Sequence, residues 1–203
     1  DSHRWLGAAL LFLALLRLNQ VTFSWTHVQS LRCYDIATAV ILKPLALAAW
    51  TMAWRDWFRL GRPWLRYAVG VLAVVYLVFA LIGRPWFVPE ATHGIKMVAN
   101  IVMEGARLAF VALYLWIIGS GVLRSGKPSN YLAAIAAILV GIGLFATELN
   151  TLGLPGIWFP YGTGVARGQY AYALFIVVLF ALILMRSVEY ARTSKAKRRR
   201  ADT

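Results

Sequence analysis

Five charged side chains stand inside stretches that are otherwise apolar: Arg17, Lys43, Glu104, Arg107 and Glu148. A charge at the centre of a bilayer costs roughly 2.5–3.5 kcal/mol on insertion scales, so such residues are usually paired or turned toward a bundle interior or wet cavity. Their spacing is helical. His93, Lys96, Asn100, Glu104 and Arg107 recur at steps of 3, 4, 4 and 3, which places them on one helix face. Arg17, Gln20, Ser24 and His27 do the same at steps of 3, 4 and 3. Asp35 and Lys43 are eight apart with Thr38 between them, and Lys43 precedes Pro44, whose missing N–H frees a carbonyl and bends a helix. Thr147, Glu148, Gln169 and Tyr172 add polar groups from the last two apolar stretches.

The chemistry open to this set is recognition. Three cations against two carboxylates leave one positive charge, which a carboxylate or phosphate would neutralise. The expected site is therefore a net-basic ligand or switch cluster of Arg17, Lys43, Asn100, Glu104, Arg107 and Glu148, with His27, His93, Gln20, Gln169 and Tyr172 on its rim. Its ligand would be a small anionic or zwitterionic molecule from outside. The competing readings are an internal salt-bridge network (Glu104–Arg107, Lys43–Glu104, Arg17–Glu148) and a path for ions or protons. No enzyme is expected, because His-Glu-x-x-His, Gly-x-Ser-x-Gly and a Gly-rich phosphate loop before a helix are all absent from the sequence. No cofactor or metal is expected either. His27 and His93 read as hydrogen-bonded interface residues rather than metal or haem ligands, and the last span holds no lysine for a retinal Schiff base.

The elements that must position these residues follow from composition. The 203 residues are 61% hydrophobic and 14% charged, with a mean hydropathy of +0.66. Soluble domains are about 45–50% apolar and 25% charged, so the expected solvent is lipid. A helix needs about 20 mostly apolar residues to cross the hydrocarbon. Six segments qualify: 5–27, 36–57, 65–83, 95–121, 131–150 and 168–186. The expected fold is an all-α integral membrane protein, a six-helix bundle over 1–190 with a basic tail or stalk at 191–203.

The formal net charge of +13 is mostly orientation. Lys and Arg beside spans are retained in the cytoplasm. Of 21 basic residues, 14 fall on one side: Arg4, Arg55, Arg59, Arg62, Arg66, Arg124, Lys127, Arg186, Arg192, Lys195, Lys197, Arg198, Arg199 and Arg200. Only Arg32, Arg84, Lys96 and Arg167 fall on the other. Both termini are thus expected to be cytoplasmic, in a multi-pass protein of a bacterial-type inner membrane. Residues 5–16 resemble a signal-peptide core, but Arg17-Leu18-Asn19-Gln20 replaces a cleavage site, so a retained span is expected. The chain reads as a fragment or a processed protein, and a further span before Asp1 is compatible with that.

Most of the nine tryptophans read as interfacial anchors, with Trp54, Trp57 and Trp64 at the basic side and Trp25, Trp86 and Trp158 opposite. The third span has no polar stripe and is the candidate lipid-facing helix. One cysteine, Cys33, excludes an internal disulfide. No Pro or Gly interrupts 169–203, so one helix can leave the membrane without stopping. Its basic end would meet anionic lipid; nucleic acid is not an expected partner, while a second copy or partner membrane subunits are compatible.

Thr147-Glu148-Leu149, then Leu154 to Val165 (LPGIWFPYGTGV), then Gln169-Tyr170-Ala171-Tyr172, resembles the last two spans of bacterial multi-span sensors. In those proteins the membrane region precedes a cytoplasmic metal-dependent serine/threonine phosphatase of the sporulation and sigma-factor-regulator type. The resemblance covers about 50 residues and implies a membrane-embedded sensory domain whose basic helix leads to an output domain. The phosphatase's metal-binding aspartates are absent, so it implies no phosphatase activity here. The alternative functions are a non-catalytic structural subunit of a membrane complex and a small-solute transporter with Lys43 beside Pro44 as its midplane site.

Overall fold

The computed structural model describes residues 2–26, 29–86, 93–125, 128–154, 156–158 and 165–201. These are helical except for short connections and one two-residue antiparallel pairing. In order they form α1 (Ser2–Thr26), α2 (Leu31–Asp35), a π-helical segment (Ile36–Leu42), α3 (Lys43–Trp57), α4 (Trp64–Ile82), α5 (His93–Ser125), α6 (Pro128–Leu144), α7 (Ala146–Thr151), β1 (Ile157–Trp158), β2 (Val165–Ala166) and α8 (Arg167–Ala201). Among the described residues, five helical stretches are long and apolar enough to cross a membrane: Arg4–Trp25, Leu31–Trp57, Trp64–Ile82, His93–Arg124 and Arg167–Val188. The chain has the character of an all-α membrane protein. It divides into two compact units, Asp1–Gly119 and Ser120–Thr203.

In the first unit α1 packs on α3, α3 on α4, and the π-helical segment on both α1 and α4. The expected second span starts five residues early, because Ser30 Oγ accepts from Cys33 N at 3.2 Å and caps α2. The expected Pro44 bend takes the form of the wide π-turn. Lys43 N donates to Thr38 O, five residues back, which is the spacing of a π-helix. Widening the turn before Pro44 eases the clash between a proline ring and the preceding carbonyls. Asn19 Nδ2 then donates to Thr38 Oγ1 at 2.7 Å and fastens the widened turn to α1.

Two anchors expected at the interface are core instead. Trp54 and Trp57 are buried together with Trp50, and Trp50 stacks on Trp54 with ring centroids 5.9 Å apart. Ala46, Ala49 and Ala53 are buried on the same helix. Trp25 and Trp64 remain exposed, at 82% and 47%, as membrane anchors would be. Arg55, counted with the solvent-facing arginines, is buried. It pairs with Asp56 Oδ1 at 2.7 Å and donates to Arg62 O at 3.3 Å. Arg62 in turn lies over the Trp116 ring, 5.1 Å from its centroid. In α4, Leu65, Val69, Tyr76 and Ala80 form the buried face, while Tyr67, Val71, Val74 and Val78 stay exposed.

In the second unit α6 packs along α8. The continuous span expected at 131–150 is broken. Residue Phe145 leaves the helical region (φ −102°, ψ 31°) and separates the 17-residue α6 from α7. Gly143 lies so close to the Tyr172 ring of α8 that an added Cβ would overlap it. That close approach lets the helices meet where α6 ends.

Candidate functional site

The sequence-predicted residues fall in several places. In α1, Arg17 is exposed, and its Nη1 donates to Gln20 Oε1 at 2.8 Å on the same helix. Lys43 is half-buried at the junction of the π-turn and α3. On α5 the buried face is formed by Ala99, Ala106, Phe110, Tyr114 and Ile117. At 100° per residue the His93–Arg107 stripe lies about a quarter turn away from that face. Lys96 and Arg107 are accordingly half-buried, whereas His93, Asn100 and Glu104 are exposed. Asn100 reaches the end of α4, with its Oδ1 against Gly83. His27 lies outside the described residues. In the second unit Glu148 is half-buried on α7, Gln169 is exposed, and Tyr172 is half-buried against Gly143. Among the described residues, no three His, Cys, Asp or Glu side chains come together as a metal would need.

A second polar cluster joins α2 to the end of α4. Asp35 Oδ2 accepts from Trp86 Nε1 at 3.2 Å and pairs with Arg84 Nε at 3.3 Å, while Arg32 Nη2 donates to Trp86 O at 3.4 Å. All four groups are at least partly exposed, so the cluster is a strap at a helix end and weak in energy.

The best-built polar arrangement lies in the second unit, around a residue that charge counting had assigned to topology. Arg167 opens α8 and is only 3% exposed. Its Nη1 donates to Leu154 O at 3.0 Å, and its Nη2 to Ala146 O at 3.1 Å and to Asn150 Oδ1 at 2.8 Å. Its own N–H donates to Gly156 O at 2.8 Å. The guanidinium fork thus closes the base of the connection from α7 to α8, and the pairing of Ile157 with Ala166 and Trp158 with Val165 closes its throat. The chain can turn into this fork because Gly153 takes φ +75° after α7, a left-handed position that suits glycine. Thr151 Oγ1 donates to Glu148 O at 2.7 Å within the same turn.

One signal in the sequence marks Arg167. A cation on the first residue of a helix opposes the helix macrodipole, so its charge needs acceptors elsewhere. Here two backbone carbonyls and an amide oxygen supply them. Chemically the arrangement holds a shape, with the guanidinium committed to two backbone carbonyls and an amide oxygen. No family model matches the chain, and neither a curated protein nor a solved structure matches it.

Proposed function

We propose that the chain is the sensory, signal-transducing membrane region of a receptor, lying in a bacterial-type inner membrane with its α7–α8 cap outside and both termini cytoplasmic. The observation that supports this most is the fixing of one end of a long helix by the buried Arg167 fork. Helix α8 has 35 residues and no break, so at 1.5 Å per residue it is about 52 Å long. The hydrocarbon core is about 30 Å thick, and the apolar part of α8 is confined to Arg167–Val188. Roughly 20 Å of basic helix therefore projects beyond it. A signal that loosens or tightens the cap shifts the start of α8, and a stiff helix carries that shift to its far end. In the first unit, the exposed and half-buried cations Arg17, Lys43 and Arg107, with Glu104 and Asn100, are groups that would meet an anionic or zwitterionic solute; in the second, Glu148 on the cap is a separate polar group. The sequence resemblance to multi-span sensors points the same way.

The reading requires the two ends of α8 to lie on opposite sides of the membrane. In a Cys33→Ser background, a membrane-impermeant maleimide should label Thr151→Cys in intact spheroplasts and Ser194→Cys only after lysis. Labelling of both from the same side would overturn the receptor reading.

A further inference from the structure

The first unit contains a cleft of about 650 Å³ lined by Leu15, Leu18, Asn19, Thr22, Gln29, Ser30, Cys33 and Leu42. Four of these belong to one face of α1, because Leu15, Leu18, Asn19 and Thr22 stand at i, i+3, i+4 and i+7. The opposite wall is the start of α2 and the last residue of the π-turn, Leu42. Neither Arg17 nor Lys43 lines it, and every lining side chain is uncharged. The volume lies within the range of roughly 300–1,000 Å³ typical of sites for single small molecules.

The polarity of the cleft is graded along the helix axis. Its polar groups (Asn19, Thr22, Gln29, Ser30, Cys33) gather toward the connection between α1 and α2, at the end of both helices. Its leucines lie deeper, and Leu15 is about 10 Å further into the span than Thr22. A headgroup-level polar rim above an apolar depth is the profile of a membrane amphiphile standing in its own leaflet. The Gln29 carbonyl oxygen adds a demand of its own. It is buried and has no hydrogen-bond partner among the described residues. A buried acceptor left unpaired costs about 1–3 kcal/mol, and rotating the Gln29 amide toward the cleft would let a donor there satisfy it. The wide turn beside it fits this reading, since π-helical turns recur at functional sites. The Asn19–Thr38 hydrogen bond holds that turn in register with the α1 face.

We propose that this cleft binds a neutral membrane amphiphile, one with an uncharged hydroxyl-bearing head and a hydrocarbon tail. With the Gln29 amide turned into the cleft, the head donates its O–H to Gln29 Oε1, and the tail lies along Leu15, Leu18 and Leu42. A diacylglycerol is the simplest molecule of that chemistry. A phosphate-headed lipid is disfavoured, because the lining offers no cation to compensate its charge.

Cys33 supplies the readout, as the only cysteine in the chain, exposed and part of the cleft wall. The full chain is placed in phosphatidylcholine nanodiscs, and the rate of maleimide alkylation of Cys33 is followed as dioleoylglycerol replaces phosphatidylcholine. The rate should fall along a saturating curve. Gln29→Leu should raise the half-saturating fraction about threefold to tenfold, the factor one ordinary hydrogen bond supplies. Leu15→Trp, which fills the apolar depth, should abolish the effect, and thermal unfolding in the same nanodiscs shows that each variant is folded. The proposal is overturned by a rate that does not saturate, by equal protection from dioleoyl phosphatidic acid, or by protection that folded forms of both variants retain unchanged.

Discussion

Replacing Arg167 with Met removes the guanidinium while keeping much of the stem's apolar volume. Three hydrogen bonds go, to Leu154 O, Ala146 O and Asn150 Oδ1. Bonds from a charged donor are individually worth about 1.5–3 kcal/mol when fully buried. Leu154 and Asn150 are exposed, however, so water replaces part of what they lose. A net cost of about 2–4 kcal/mol to the closed cap is the reasonable magnitude. Opening of the cap governs hydrogen exchange at the amides of Leu154 and Arg167, which bond to Leu149 O and Gly156 O. Exchange at these two amides should accelerate about thirtyfold to several-hundredfold, at roughly 1.4 kcal/mol per factor of ten. Amides in the middle of α6 and α8 should stay protected. Arg167→Lys should give an intermediate rate, since an ammonium keeps the charge and loses the planar fork. Exchange in Arg167→Met within twofold of the unsubstituted chain would refute the reasoning.

Three further outcomes follow from the packing. Gly143→Ala should lower the stability of the α6–α8 pair by about 1–3 kcal/mol in a denaturant titration, and adding Tyr172→Ala should recover part of that loss, because the atoms nearest the added methyl belong to the Tyr172 side chain. Asn19→Leu removes the bond to Thr38, and its cost should be about 0.5–1.7 kcal/mol in the unfolding midpoint, the range seen for hydrogen bonds between membrane helices. Arg84→Gln should change stability by under about 1 kcal/mol, because Arg84 and Asp35 are both partly exposed; a larger loss would mean that the strap carries more than a surface ion pair can.

Hydropathy located the helices because length and apolar run are all that a crossing requires. It placed the α4 and α8 stretches well and missed features set by local backbone chemistry. The α2 start depended on one Ser30 hydroxyl, and the π-turn on how the chain relieves Pro44. The break at Phe145 is not marked by a Pro or Gly at that position; it falls beside the close approach of Gly143 and Tyr172, which are far apart in sequence. Trp50, Trp54 and Trp57 show the same limit. Their residue type suits an interface, yet α3 buries them along with Ala46, Ala49 and Ala53, and residue type alone does not say which helix is packed on both sides.

Charge was legible in sum and ambiguous residue by residue. Helical spacing put His93, Lys96, Asn100, Glu104 and Arg107 on one stripe of α5. The face that α5 buries is the neighbouring one, and spacing alone cannot say which face meets protein. Arg55 and Arg167 were counted with loop charges, yet both are buried, because carbonyls from the adjoining turns reach them. The cleft between α1 and α2 has no sequence signature of this kind, since its lining carries no charge.

The account stands or falls on whether the cap and the far end of α8 move together. A nitroxide on Ser194→Cys, in a Cys33→Ser background and in lipid nanodiscs, sits 27 residues and about 40 Å along the helix from Arg167. Its spectrum should change when Arg167→Gln unlatches the cap, and should stay the same when Asn19→Leu removes a helix–helix hydrogen bond of the other unit. Superimposable spectra with and without Arg167→Gln would contradict the transmission of a signal along this helix.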